Sequence, residues 1–120
     1  MGAFNWIELS AVCPGCGADA NVRAQTHMAS SYDGDSTGRF HDRTYRLGET
    51  MAWFPPSDKR SASWCEAADP GHLPSIREAC YSECLSCRAP LCVVLEFENR
   101  AIARVVTVAQ ESEWPNGYLR

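Results

Sequence analysis

The sequence predicts a small, mainly β domain closed by a metal. Three observations carry that expectation. Two short cysteine pairs, Cys13-Pro14-Gly15-Cys16 and Cys84-Leu85-Ser86-Cys87, each place two thiols three positions apart. The stretches beside them alternate apolar and polar residues with the two-residue period of a half-buried strand. Glycine, proline, serine and aspartate gather between those stretches, as turns require. A chain of 120 residues, 45% hydrophobic and 22% charged, fits one domain over residues 1–120. Its core is modest at that size, and a structural metal is a common remedy.

Phe4 to Val12 reads as the first strand, with Ile7, Leu9 and Ala11 alternating against Trp6, Glu8 and Ser10. It runs straight into the first cysteine pair. Ala20 to Met28 offers a second strand, with Val22, Ala24 and Thr26 on one face. Ala29 to Arg43 is a loop, dense in turn formers from Ser30 to Gly38. Tyr45 to Phe54 reads as a strand interrupted at Leu47-Gly48-Glu49 and ended by Pro55-Pro56, which cannot donate to a ladder. Ser57 to Pro74 is irregular, with a turn at Asp69-Pro70-Gly71. Ser75 to Tyr81 fits either a short helix or a strand. Leu91 to Phe97 is strongly β-prone, Glu98-Asn99-Arg100 turns, and Ala101 to Ala109 returns with Ile102, Val105, Val106 and Val108. The tail from Gln110 to Arg120, with Trp114, Pro115 and Tyr118, reads as an extended cover.

The cysteine pairs carry the chemistry. Two thiolates three positions apart can grip one ion while the N–H groups of the tight turn point at the sulfurs. Two such knuckles supply the four thiolates of a closed, tetrahedral structural zinc: Cys13, Cys16, Cys84 and Cys87. Cys13-Pro14-Gly15-Cys16-Gly17 resembles the C-P-x-C-G knuckle of zinc-ribbon proteins, and Cys84 with Cys87 matches the partner knuckle. Arg88 stands where that family often has glycine. The resemblance covers the knuckles and their flanking strands. It implies a zinc ribbon with one structural Zn²⁺ and no activity, and it favours a strand for Ser75 to Tyr81. The 67 residues between Cys16 and Cys84 then hold a long insertion, about residues 29–79, ahead of a C-terminal β-hairpin. Cys80 is the rival ligand, four residues before Cys84. Cys92 reads as a small buried hydrophobe. Cys65 with His72 is a thin basis for a second metal site.

Charge and motifs exclude several functions. The net charge is −4, and residues 21–60, with six basic and five acidic groups, reach only +1. No segment has the basic excess that a phosphate backbone demands. Met1 to Leu9 has no basic leader region, and no apolar run approaches a membrane span. The expectation is a cytoplasmic protein with no membrane partner, in which cysteines hold metal and do not form disulfides. His27, His41 and His72 form no metalloprotease motif, His41-Asp42 is a solvated loop pair, and Gly34 and Gly38 lack the lysine of a phosphate loop. Four thiolates leave a zinc no open position. No enzyme is expected.

The function read from these residues is a non-catalytic, zinc-stabilised protein-binding module. One concrete form is an immunity-type inhibitor, a small cytoplasmic protein that blocks a cognate toxin. The alternative is a nucleic-acid-associated zinc-ribbon accessory protein, using Arg39, Arg43, Arg46, Lys59 and Arg60 as a basic stripe. The partner is expected to be a protein, basic in character, on the insertion from Tyr32 to Asp69. There Tyr45, Trp53 and Phe54 offer anchors, and Asp33, Asp35, Asp42, Glu66 and Asp69 offer charge. Glu66, Asp69, Glu78 and Glu83 could also line an acidic rim. Packing is the plainer expectation for the aromatic residues.

Overall fold

The computed structural model describes residues 3–32, 40–55, 57–64 and 75–114. Six strands form one curled sheet: β1 (Asn5–Val12), β2 (Asp19–Thr26), β3 (Thr44–Arg46), β4 (Ile76–Cys84), β5 (Pro90–Glu98) and β6 (Ala101–Gln110), in the order β3-β1-β2-β4-β5-β6. The mainly β expectation is met. Ser61–Trp64 and Glu111–Glu113 are single 3₁₀ turns. Among the described residues, no helix is long and apolar enough to cross a membrane.

Alternation decides which face each strand buries. Ile7 and Leu9 of β1 and Ala20, Val22 and Ala24 of β2 point into the core, while Trp6, Glu8, Ser10 and Arg23 stay outside. The two strands pair antiparallel from Asn5↔Thr26 to Val12↔Asp19, so the first knuckle closes a hairpin. β4 and β5 repeat the arrangement around the second knuckle, from Ile76↔Phe97 to Glu83↔Pro90. The helix alternative for Ser75 to Tyr81 is thereby settled as strand. β5 is buried from Leu91 to Phe97, because both its faces are covered. Leu91, Val93, Leu95 and Phe97 enter the main core. Cys92 and Val94 form a second small cluster with Ala79, over which Val106 and Trp114 pack.

The strand expected from Tyr45 to Phe54 is corrected. Only Thr44–Arg46 forms a strand, parallel to β1, and Thr50 adds a single antiparallel bridge to Ala101 of β6. Gly48 then takes a φ of 89°, which glycine tolerates, and the chain turns toward β6. Gly48 N–H donates to Ile102 O at 2.8 Å, Ile102 N–H to Glu49 O at 3.0 Å, and Met51 N–H to Arg100 O at 2.9 Å. This one segment thus pairs with β1 as the edge strand β3 and then reaches β6 at the other end of the strand order. Past it, Met51, Trp53 and Phe54 leave the ladder and enter the core with Phe40, Tyr45 and Trp64. Phe40 lies 5.4 Å from Trp53 and 4.7 Å from Phe54, ring centre to ring centre. The insertion therefore supplies core. Tyr45, Trp53 and Phe54 are buried packing groups, as the plainer expectation had it, and are not exposed as anchors.

The two hairpins meet along a short seam. β2 and β4 pair only at Val22↔Cys84, Arg23↔Glu83 and Ala24↔Ser82, then part. Inside the parting lies Glu78, whose side chain is 1% exposed. Thr26 Oγ1 donates to it at 2.5 Å, His27 N–H at 3.0 Å and the Cys80 thiol at 3.2 Å. A buried carboxylate needs such donors, and here they tie the hairpins together.

Candidate metal centre

Each knuckle is built by the same two backbone bonds. Cys13 N–H donates to Ala18 O at 3.0 Å and Gly17 N–H to Cys13 O at 2.7 Å; Cys84 N–H donates to Ala89 O at 3.1 Å and Arg88 N–H to Cys84 O at 2.8 Å. The turn needs a left-handed residue in its fifth place. Gly17 fills it with φ 73°, and Arg88, the departure from the family's glycine, takes φ 62°. The second turn keeps its shape at a conformational cost.

The knuckles face each other at one end of the hairpins. The sulfurs of Cys13, Cys16, Cys84 and Cys87 lie within 4.8 Å of one another, a cluster able to hold a metal ion. Cys13 and Cys84 are buried, whereas Cys16 and Cys87 are exposed. Gly15 N–H and Cys16 N–H point at the Cys13 sulfur, at 3.2 and 3.5 Å. The Cys87 N–H, and after it the Ser86 N–H, hold the Cys84 thiol down at about 7 against the pull of desolvation. At Cys87 the Ala89 N–H acts in the same sense, but desolvation and the neighbouring thiols of Cys84, Cys13 and Cys16 together push it up to about 11. Thiols this close resist sharing negative charge until a cation joins them, and the site's donors are those of a cation site.

Residues outside the cysteine motifs complete the centre. Leu85 N–H donates to Asn21 O at 2.8 Å, fixing the second knuckle to the first hairpin. Gln110 Nε2 donates to Pro14 O at 3.3 Å from the end of β6. A Cβ on Gly15 would lie 2.9 Å from Ala89 Cβ and 3.4 Å from the Cys13 sulfur, so the knuckles approach as closely as they do only because Gly15 has none. Nothing in the spacing of Asn21, Ala89 or Gln110 announced these roles.

The rival cysteine stands apart. Cys80 is buried on β4 beside Glu78, and burial first, then the Glu78 carboxylate, push its thiol well above the ordinary range. Cys92 is buried in the small outer cluster. Cys65 and His72 lie outside the described residues, as do Asp33, Asp35, Arg39, Glu66, Asp69 and Tyr118. The acidic rim is corrected at Glu78, which is interior; Glu83 stays at the surface, paired with Arg88 at 2.7 Å. Arg60 is also committed, paired with Asp58 at 2.8 Å and laid over the Phe54 ring at 3.9 Å, so it does not extend a basic stripe. His41 leans on the Tyr32 ring, with centroids 4.7 Å apart, and no described cysteine thiol is bonded to it.

The chain matches no protein-family model, no curated protein and no solved structure.

Proposed function

We propose that the chain is a non-catalytic protein-binding module whose fold is held by one structural zinc on Cys13, Cys16, Cys84 and Cys87. The observation that carries this reading is the convergence of four sulfurs within 4.8 Å, with no other donor type among the described residues. An all-thiolate tetrahedral set suits zinc, with iron as the competing metal. Four protein ligands leave zinc no open position for water or substrate, so the centre stabilises and does not catalyse. Cys13-Pro14-Gly15-Cys16-Gly17 also resembles the C-P-x-C-G knuckle of zinc ribbons, with Cys84 and Cys87 as its partner pair. The ion joins two hairpins that share only three ladder pairs, so its binding free energy acts directly on the fold.

The partner in this reading is a protein, and an immunity-type inhibitor of a toxin, working in a reducing cytoplasm, is its concrete form. A net charge of −4 gives no grip on phosphate and speeds encounter with a partner of positive net charge. The nucleic-acid alternative draws no support from the described basic residues.

Elemental analysis of freshly purified protein tests the metal. About one zinc per chain is expected. Ser substitution at any of the four positions should lower metal content and melting temperature together, while Cys80→Ser should leave the metal in place. A colourless zinc-free protein, an iron centre, or zinc lost from Cys80→Ser but kept in Cys84→Ser would end the assignment. Uptake should weaken as pH falls through about 7, where Cys84 takes up the proton that the metal must displace.

A further inference from the structure

Where β2 and β4 part, the inner side is filled by Glu78 and the outer side opens. A groove of about 260 Å³ lies there, walled by Trp6, Arg23 and Gln25 on one side and by Tyr81, Leu85 and Arg88 on the other. Its charges are unequal in availability. Glu83 is held by Arg88 at 2.7 Å. Arg23 stands opposite Glu8 and Glu83 in the strand register but makes an ion pair with neither. Its guanidinium lies 4.0 Å over the Trp6 ring instead, and its Nε is buried with no hydrogen-bond partner. A guanidinium offers five N–H donors in a fixed fork that matches a carboxylate. At Arg23 that fork is pre-positioned on an aromatic face and carries no acceptor among the described residues.

We propose that this groove docks an acidic segment of a protein partner: one Asp or Glu carboxylate on Arg23, and an adjoining apolar side chain against Trp6, Tyr81 and Leu85. The proposal rests on the reading of the chain as a protein-binding module and places its contact on the outer sheet face, away from the insertion. The size suits one or two side chains and falls below the roughly 300–1,000 Å³ of ordinary small-molecule sites. Single-stranded nucleic acid fits less well, because base stacking needs an open ring face. Trp6 is covered by Arg23 and edged by Phe4 at 5.1 Å, and Tyr81 leans on Trp114 at 4.5 Å. A carboxylate contact is local, so it is compatible with a partner of positive net charge.

The test uses the full metal-loaded chain and the blocked peptide acetyl-Ala-Phe-Asp-Leu-Ala-amide, with an Asn-for-Asp counterpart and octathymidylate as comparators. Amide and indole resonances are followed by NMR. The Asp peptide should saturate shifts at Trp6, Arg23 and Tyr81 with a Kd at or below about 1 mM. The Asn peptide should bind about tenfold more weakly, as the loss of a charge-assisted bond predicts. Arg23→Gln should bring the Asp peptide to the Asn level, with melting temperature and metal content unchanged. Equal binding of the two peptides, no shift at Trp6 with the Asp peptide in several-fold excess over about 1 mM, or saturation of the same residues by octathymidylate would overturn the groove. The metal analysis stands apart: a metal-free protein sinks the proposed centre, whereas peptide indifference sinks only the groove.

Discussion

Two glycines of the first knuckle serve different physical ends, and substitution separates them. Gly17 sits at φ 73° with nothing within 4 Å of where a Cβ would stand, so its demand is conformational. Gly17→Ala should cost about 1–2 kcal/mol of stability, the price of a left-handed non-glycine residue, and leave metal affinity nearly unchanged. Gly15 has a steric demand, because its Cβ would meet Ala89 at 2.9 Å. Gly15→Ala should force the knuckles apart and weaken metal binding by more than Gly17→Ala does. Competition against a chelator, beside thermal melts of the same two variants, reads the difference. Both glycines were legible as turn residues. That Gly15 faces the other knuckle was not, because the neighbour it accommodates lies 74 positions away in the chain.

At the scale of an element, the turn after Pro55 shows how a surface clasp protects core aromatics. Asp58 accepts from Arg60 N–H at 2.8 Å, from Arg60 Nε at 3.0 Å and from a terminal nitrogen at 2.8 Å. Arg60 then covers Phe54, and the carbonyls of Arg60 and Ser61 accept from Trp53 Nε1. The Arg60 side chain, then its backbone N–H, holds Asp58 down at about 2 from an ordinary 3.8. A carboxyl whose folded value is depressed adds stability that is present above about 4 and lost as pH falls toward 2. Wild type should therefore lose melting temperature across that window more steeply than Asp58→Asn. Parallel acid titrations of the two proteins check this, and parallel curves would show that the clasp contributes nothing. On the neighbouring sheet face, Glu96 is held between Arg77 at 2.9 Å and Arg104 at 2.8 Å, directly across the β4-β5-β6 register. The strands themselves were readable from alternation, β5 and β6 most clearly. The Tyr45 to Phe54 segment misled because its apolar residues serve the core from a loop, and a short apolar run looks alike in either setting.

For the whole molecule, the weak joint lies between the hairpins. β1 and β2 share eight ladder pairs and β4 and β5 share eight, against three between β2 and β4. The four-cysteine cluster and the Glu78 cluster bracket that joint. Removing the proposed metal should accelerate amide exchange first at Val22 to Ala24 and Ser82 to Cys84, while Val93 to Phe97 keeps its protection until global unfolding. Exchange followed by NMR before and after chelation tests this order, and uniform loss of protection would show that the metal supports the whole sheet equally.

The sequence by itself determined the local chemistry: two knuckles with four thiols in ligand spacing, strands of period two beside them, turns at the knuckles and at Gly48, and a net charge of −4. These follow from residue type and short spacing, which local sterics and hydrogen bonding obey. Only the tertiary structure decided what those pieces meet. It packed Phe40, Trp53 and Phe54 inside the fold, set Cys80 against Glu78, and laid Arg23 over Trp6 beside a parted seam. It also carried the chain from the edge strand β3 across to β6 through the turn at Gly48. Each of these depends on contacts between residues far apart in the chain, whose pairing is chosen by the packing of the whole core and leaves no mark on the spacing of any one stretch.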